Sequence, residues 1–172
     1  TGPWRPVRAH VESTTEPMRL LFALSSLLLL TGTSSAQDLR FFDIIEASSS
    51  ERIESDIRTL AGFGTRNTFS DTTSSTRGIG AARRWIQAEF SRISDSCDGC
   101  LEVSTQRNLI EQGSSDRAVQ DVWVVNVLAI QRGFRNPDRY VIMAGDIDSR
   151  NSSSTDGEGD APGANDNASG MA

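Results

Sequence analysis

Apolar positions recur with two different spacings along the chain, and each spacing predicts its own kind of element. In "SSERIESDIRTLAGFG", Ile53, Ile57, Leu60 and Ala61 follow at helical spacing behind serines that can cap a helix N-terminus. Gly62 and Gly64 end that pattern. "TRNTFSDTTSS" reads as a polar loop. In "TRGIGAARRWIQAEFSRIS", Ile79, Ala82, Ile86, Phe90 and Ile93 share one face of a second amphipathic helix, and Trp85 and Phe90 read as core packing. The period then changes. "CLEVSTQRNL" alternates well enough for a strand, and "QDVWVVNVLAIQRG" carries an apolar, β-branched run from Val122 to Ile130. After a turn at "NPD" comes "RYVIMAG", apolar as for a strand covered on both faces. Helices ahead of buried strands predict an α/β layered domain rather than a β-sandwich. No internal repeat is found, and "SRNSSSTDGEGDAPG" is a low-complexity loop.

A further apolar stretch lies near the N-terminus. "MRLLFALSSLLLLTGTSSAQD" places Arg19, then Leu20 to Leu30, then the small residues Ser34, Ser35 and Ala36, the order of a secretory signal peptide over residues 18–36. The stretch is too short to span ~30 Å of hydrocarbon as a helix, and a buried core helix would not need that order of charge, apolar run and small residues. With Met18 as the start, residues 1–17 are upstream translation without a fold, and cleavage after Ala36 leaves residues 37–172 as the exported part, periplasmic or extracellular, with no membrane attachment.

Charge narrows the partners. The 172 residues carry a net charge of −6, so the chain lacks the basic stripe that neutralises nucleic-acid phosphates, and no nucleic-acid partner is expected. All 17 basic residues are arginine, which reads as codon bias of a GC-rich genome. The one histidine, His10, falls in the upstream stretch, although most zinc chemistry uses imidazole. Cys97 and Cys100 form "CDGC" between a helix and a strand-like segment. In an exported chain this reads as a structural disulfide rather than a thioredoxin-like thiol pair. A zinc knuckle would need two more soft ligands, and the chain has no other cysteine.

The candidate chemistry sits after the last predicted strand. "GDIDSR" places Asp146 and Asp148 at its C-terminal end, the edge where open α/β sheets gather ligands. "GANDNASG" then brings Asp166, and three carboxylates can converge there as hard oxygen donors for a divalent metal. Pro162 and Gly163 turn the chain, Asn165 and Asn167 tolerate unusual backbone angles, and a helix starting at Ser169 and Gly170 would favour the Asp166 charge near its N-terminus. Composition alone favours ordinary turn residues in an acidic loop, since Asp, Asn and Gly are the normal residues of loops. "DGEGD" lacks the spacing and the closing glutamate of an EF-hand calcium loop.

These residues resemble the secreted co-catalytic zinc exopeptidases that include bacterial leucyl aminopeptidase and aminopeptidase Y. "APGANDNASG" is close to that family's A-P-G-A-x-D-x-A-S-G element, and "GDIDSR" stands where the family has G-H-x-D-S. "GFGTR" with "RGIGAARRWIQAEF" is like its N-terminal helices, and "DVWVVNVLAIQRG" is like its N-V-x-A-x-x-x-G strand. The resemblance covers most of Ser50 to Ala172 and implies a layered α/β/α domain with a mixed, mostly parallel central sheet.

It implies roles residue by residue. Asp166 matches the carboxylate that bridges two zinc ions, and Asp148 matches the catalytic-site aspartate that orients the first metal ligand. Asp146 takes the place of the family's histidine ligand, a departure that leaves open an altered ligand favouring manganese or magnesium, a dead site, or a one-base sequence error. In such enzymes two metals lower the pKa of a shared water, a glutamate takes its proton, and the metals stabilise the oxyanion formed on a peptide carbonyl. The family's catalytic glutamate pair, a later acidic ligand and a last histidine all lie downstream of the matching element. The expectation is therefore the truncated N-terminal part of an exported metallo-aminopeptidase acting on peptides, inactive as 172 residues. The alternatives are a peptidase-like binding domain that has lost its metals, or an acidic calcium-binding surface protein.

Overall fold

The structure, a computed structural model, describes residues 39–172, with side chains from residue 41. The predicted signal peptide, the upstream stretch and His10 lie outside the described residues. Helix α1, Leu39–Glu46, belongs to a unit that ends at Ser48 and stands by itself here. Its Phe41, Phe42, Ile44 and Ile45 are exposed, and the apolar spacing did not single it out. Among the described residues no helix is long and apolar enough to cross a membrane.

The second unit, Ser49–Ala172, contains the remaining elements. Helix α2 spans Ser50–Gly62 and starts as its sequence predicts: the Ser49 hydroxyl accepts from Arg52 N–H at 3.1 Å, satisfying one of the orphan donors of the first turn. Helix α3 spans Gly78–Ser96, with Ile79, Ala82 and Ile86 buried. Arg52 bridges the two helices by an ion pair to Glu89 at 2.6 Å. Strands β1, Glu102–Ile110, and β2, Val122–Ile130, form an antiparallel pair in which Glu102 faces Ile130 and Ile110 faces Val122. Cys97 and Cys100 are joined by the predicted disulfide in the turn between α3 and β1.

Two parts of the predicted fold differ. The architecture is mixed α/β, but the only sheet among the described residues is this antiparallel hairpin; no mostly parallel sheet is formed. "RYVIMAG" is not a strand: it pairs with nothing among the described residues, and Tyr140, Val141, Ile142 and Met143 are 83–95% exposed. A strand is stable only with a hydrogen-bonded neighbour, so apolar content alone could not make one. For the same reason β2 is only half-buried, since α3 packs on one side of the hairpin.

The core joins Leu60 of α2, Ala82 and Ile86 of α3 and Ala168 near the C-terminus, with Ile57, Phe63, Trp85, Phe90, Val127, Ile147 and Met171 packed around them. Trp85 and Phe90 are thus core residues, as their spacing predicts. Ile147 and Ala168 connect this core to the candidate site: each places an apolar anchor beside one of the candidate aspartates.

Candidate functional site

The loop after α2 organises the site. Thr65, Arg66 and Asn67 are 0–2% exposed, although their sequence context reads as polar loop. A buried guanidinium is costly unless its donors are met, and here they are met by backbone carbonyls from three places in the chain. Arg66 Nε donates to Ile147 O at 2.8 Å. Nη1 donates to Leu60 O at 2.8 Å and to Pro162 O at 2.7 Å, and Nη2 to Gly163 O at 3.0 Å. The side chain therefore ties the end of α2 to both the "GDIDSR" segment and the "APGANDNASG" element.

Ser149 completes the junction. Its hydroxyl donates to Ala161 O at 2.5 Å and accepts from Arg66 N–H at 2.9 Å, while its own N–H donates to Arg66 O at 3.3 Å. Thr65 and Ala161 form an isolated parallel bridge, with Ala161 N–H donating to Gly64 O at 2.7 Å. Gly163 has φ +49°, and a β-carbon there would lie 2.5 Å from both Asp166 O and the Ser149 Cβ and 3.1 Å from Arg66 Nη2. Only glycine fits that approach.

The Asp166 turn rests on this platform. Ala168 N–H donates to Gly163 O at 3.0 Å and Ser169 N–H to Ala164 O at 3.0 Å, and Ala168 itself is buried in the core. The Asp166–Asn167 peptide is cis. The expected helix after Asp166 is a single 3₁₀ turn, Ala168–Gly170, too short to supply the macrodipole field that sequence reasoning invoked.

Asp146, Asp148 and Asp166 are all exposed, on segments that Arg66 holds side by side. The charge of Asp148 acts on two arginines without forming an ion pair with either. Burial lowers the pKa of Arg66, and Asp148 opposes that shift; the same two influences act on Arg83 of α3, where Arg107 adds to the lowering. A guanidinium still remains charged at any ordinary pH. Asp146 and Asp148 also line a cavity of about 200 Å³ together with Arg83.

The predicted convergence of three carboxylates is not reached. Among the described residues no group of three or more His, Cys, Asp or Glu side chains stands ready to hold a metal ion. The described residues therefore do not fit a metal by themselves. The "DGEGD" loop is occupied by its own turns: Asp156 accepts from Glu158 and Gly159 N–H and from the Asn151 amide, and Asp160 pairs with Arg77 at 2.8 Å. Arg66 is the residue that sequence reasoning missed; its only trace was its place in "GFGTR".

Several relatives of the chain are fungal. The chain is 44% identical over 130 residues to a protein of Pyrenophora teres f. teres named as a probable zinc metalloprotease, covering 76% of this chain and 28% of that protein. A second so-named protein, from Pyrenophora tritici-repentis, is 38% identical over 168 residues, 97% of this chain and 34% of its own length. One from Phaeosphaeria nodorum is 40% identical over 121 residues, 70% of this chain and 24% of its own length. The chain is thus related, over part of their length, to fungal proteins named as zinc metalloproteases, and it spans about a third or less of each. No family model and no solved structure matches it.

Proposed function

We propose that this chain forms the N-terminal part of the catalytic domain of an exported, metal-dependent exopeptidase of the aminopeptidase type, with zinc as its metal. The observation that carries the reading is the Arg66 clamp, which sets the segment of Asp146 and Asp148 beside the turn of Asp166. The names of the relatives support zinc and peptide hydrolysis. In this reading Asp166 and Asp146 would hold metal, Asp148 would orient Asp146, and the metal would supply an activated water. The other ligands and the general base come from the part of the relatives that this chain does not span, and with them come the parallel strands of a layered α/β/α domain. Manganese or magnesium in place of zinc is the variation that a third carboxylate favours.

Asp146, standing where the resemblance has histidine, favours one second reading: a peptidase-like domain that binds without catalysis. The test is hydrolysis by the protein of the complete reading frame. Aminoacyl-anilides with a free amine should be cleaved, N-acetylated ones spared, and a chelator should abolish the activity. Equal cleavage of blocked and free substrates would defeat the exopeptidase assignment, and no cleavage under any metal would favour the binding domain.

A further inference from the structure

A second concave surface lies between α3, the loop ahead of it and the hairpin: a groove of about 680 Å³ whose lining includes Arg83, Arg84, Arg107, Asp71, Asp121 and Trp123. Its lining charges are unevenly engaged. Asp71 Oδ1 accepts from Thr73 N–H, Thr73 Oγ1–H and Ser74 N–H, and Asp121 Oδ1 accepts from Gln112 N–H, so each carboxylate is turned to its own loop. Arg84 donates to the carbonyls of Thr72 and Ser74. Arg107 has no such use, and Arg83 has only the more distant charge of Asp148 in the adjoining cavity. Among the described residues neither forms an ion pair or a side-chain hydrogen bond, and Arg83 Nε is the buried side-chain polar atom left without a partner.

Arg107 is instead held by stacking, its guanidinium 5.0 Å from the Trp123 ring centroid across the β1–β2 pair. Two like charges directed at one groove repel, and each raises the free energy of the other. An anion between them offsets that repulsion. A planar carboxylate matches the fork of a guanidinium, and the indole beside it offers an apolar wall for a peptide chain. Arg83 also lines the cavity of Asp146 and Asp148, so the groove opens beside the candidate site.

We infer that the Arg83–Arg107 groove binds the carboxylate of a peptide, from an acidic side chain or from a C-terminus. That the ligand is a peptide rests on the proposed function; that it is an anion rests on the groove alone.

The test is calorimetric titration of the protein of the complete reading frame, held metal-free with a chelator so that no peptide is cleaved, with three tripeptides and with inorganic phosphate. One peptide is blocked at both ends with a central glutamate, one is the same with glutamine, and one has the glutamine with a free C-terminal carboxylate. The glutamate peptide, the free-carboxylate peptide or both should bind about tenfold more tightly than the blocked glutamine peptide, and which of them does so identifies the source. R83Q or R107Q should erase the preference, and R107K should restore part of it. Equal binding of all three peptides overturns the inference with no variant needed, and phosphate binding as tightly as either carboxylate overturns its peptide part. A retained carboxylate preference alongside a complete-frame protein that hydrolyses nothing would defeat the proposed function and leave the anion groove standing.

Discussion

Arg66 and Pro162 are 96 positions apart in the chain, yet the guanidinium Nη1 donates to the Pro162 carbonyl at 2.7 Å. The same side chain reaches Ile147 and Gly163, so one buried cation sets the spacing between two acidic segments. Replacing it with methionine would leave the carbonyls of Leu60, Ile147, Pro162 and Gly163 without that donor. R66M should cost on the order of 1–3 kcal/mol for the buried carbonyls left without a donor, read as a fall in the urea midpoint. R66K should recover only part, because an ammonium lacks the fork that reaches several carbonyls at once. A midpoint within experimental error of wild type for R66M would show that the clamp is not a structural element.

Gly163 tests the same junction from the other side. G163A places a β-carbon against Ser149 and Asp166 O at a positive φ, and should destabilise the protein by about 1–3 kcal/mol. The loss should be smaller in an R66M background, because both changes loosen one contact. A double-mutant cycle in urea measures that coupling, and strict additivity would place the two residues in independent structures.

The "DGEGD" loop gives a pH dependence with a definite sign. The Asp156 carboxylate is held below its ordinary pKa of 3.8 first by the Gly159 N–H, then by the Asn151 amide and the Glu158 N–H. Its folded pKa is therefore below its unfolded one. The stability it contributes is complete above the unfolded value and is lost as pH falls from there through the folded value. Wild type should lose stability below about pH 4 more steeply than D156N, while D156N should be the less stable at pH 7. Parallel acid-unfolding curves for the two proteins would contradict this.

The Cys97–Cys100 bridge closes a very short loop after α3. Chain entropy assigns such a loop only about 2 kcal/mol. Reduction, or paired serine substitution, should lower stability by that order while helix content by circular dichroism stays the same. Loss of the helical signal would show that the disulfide organises far more than its own turn.

Local patterns were legible where local forces decide. Serine caps, helical spacing and β-branched runs placed α2, α3, β1 and β2, and the short C-x-x-C spacing placed the disulfide. What failed depended on distant partners. Tyr140 to Met143 read as a buried strand from apolarity, yet a strand exists only where another lies beside it. Arg66 read as loop because its neighbours in sequence are polar, while the groups that satisfy it come from residues 60, 147, 162 and 163. At the candidate site the three aspartates stand out by their place after a predicted strand and by the family resemblance, and Ala168 and Ile147 show how their segments are anchored in the core. The carboxylates themselves are not gathered into a ligand cluster among the described residues.

The proposed metal role of Asp166 is tested by the metal content of the protein. The protein of the complete reading frame should be purified without chelator, as wild type and as D166N, and its zinc and manganese determined per chain. Two metal equivalents in wild type, with at least one lost in D166N and aminoacyl-anilide hydrolysis reduced at least a hundredfold, are the predicted results. Equal metal content and equal activity in the two proteins would contradict the account.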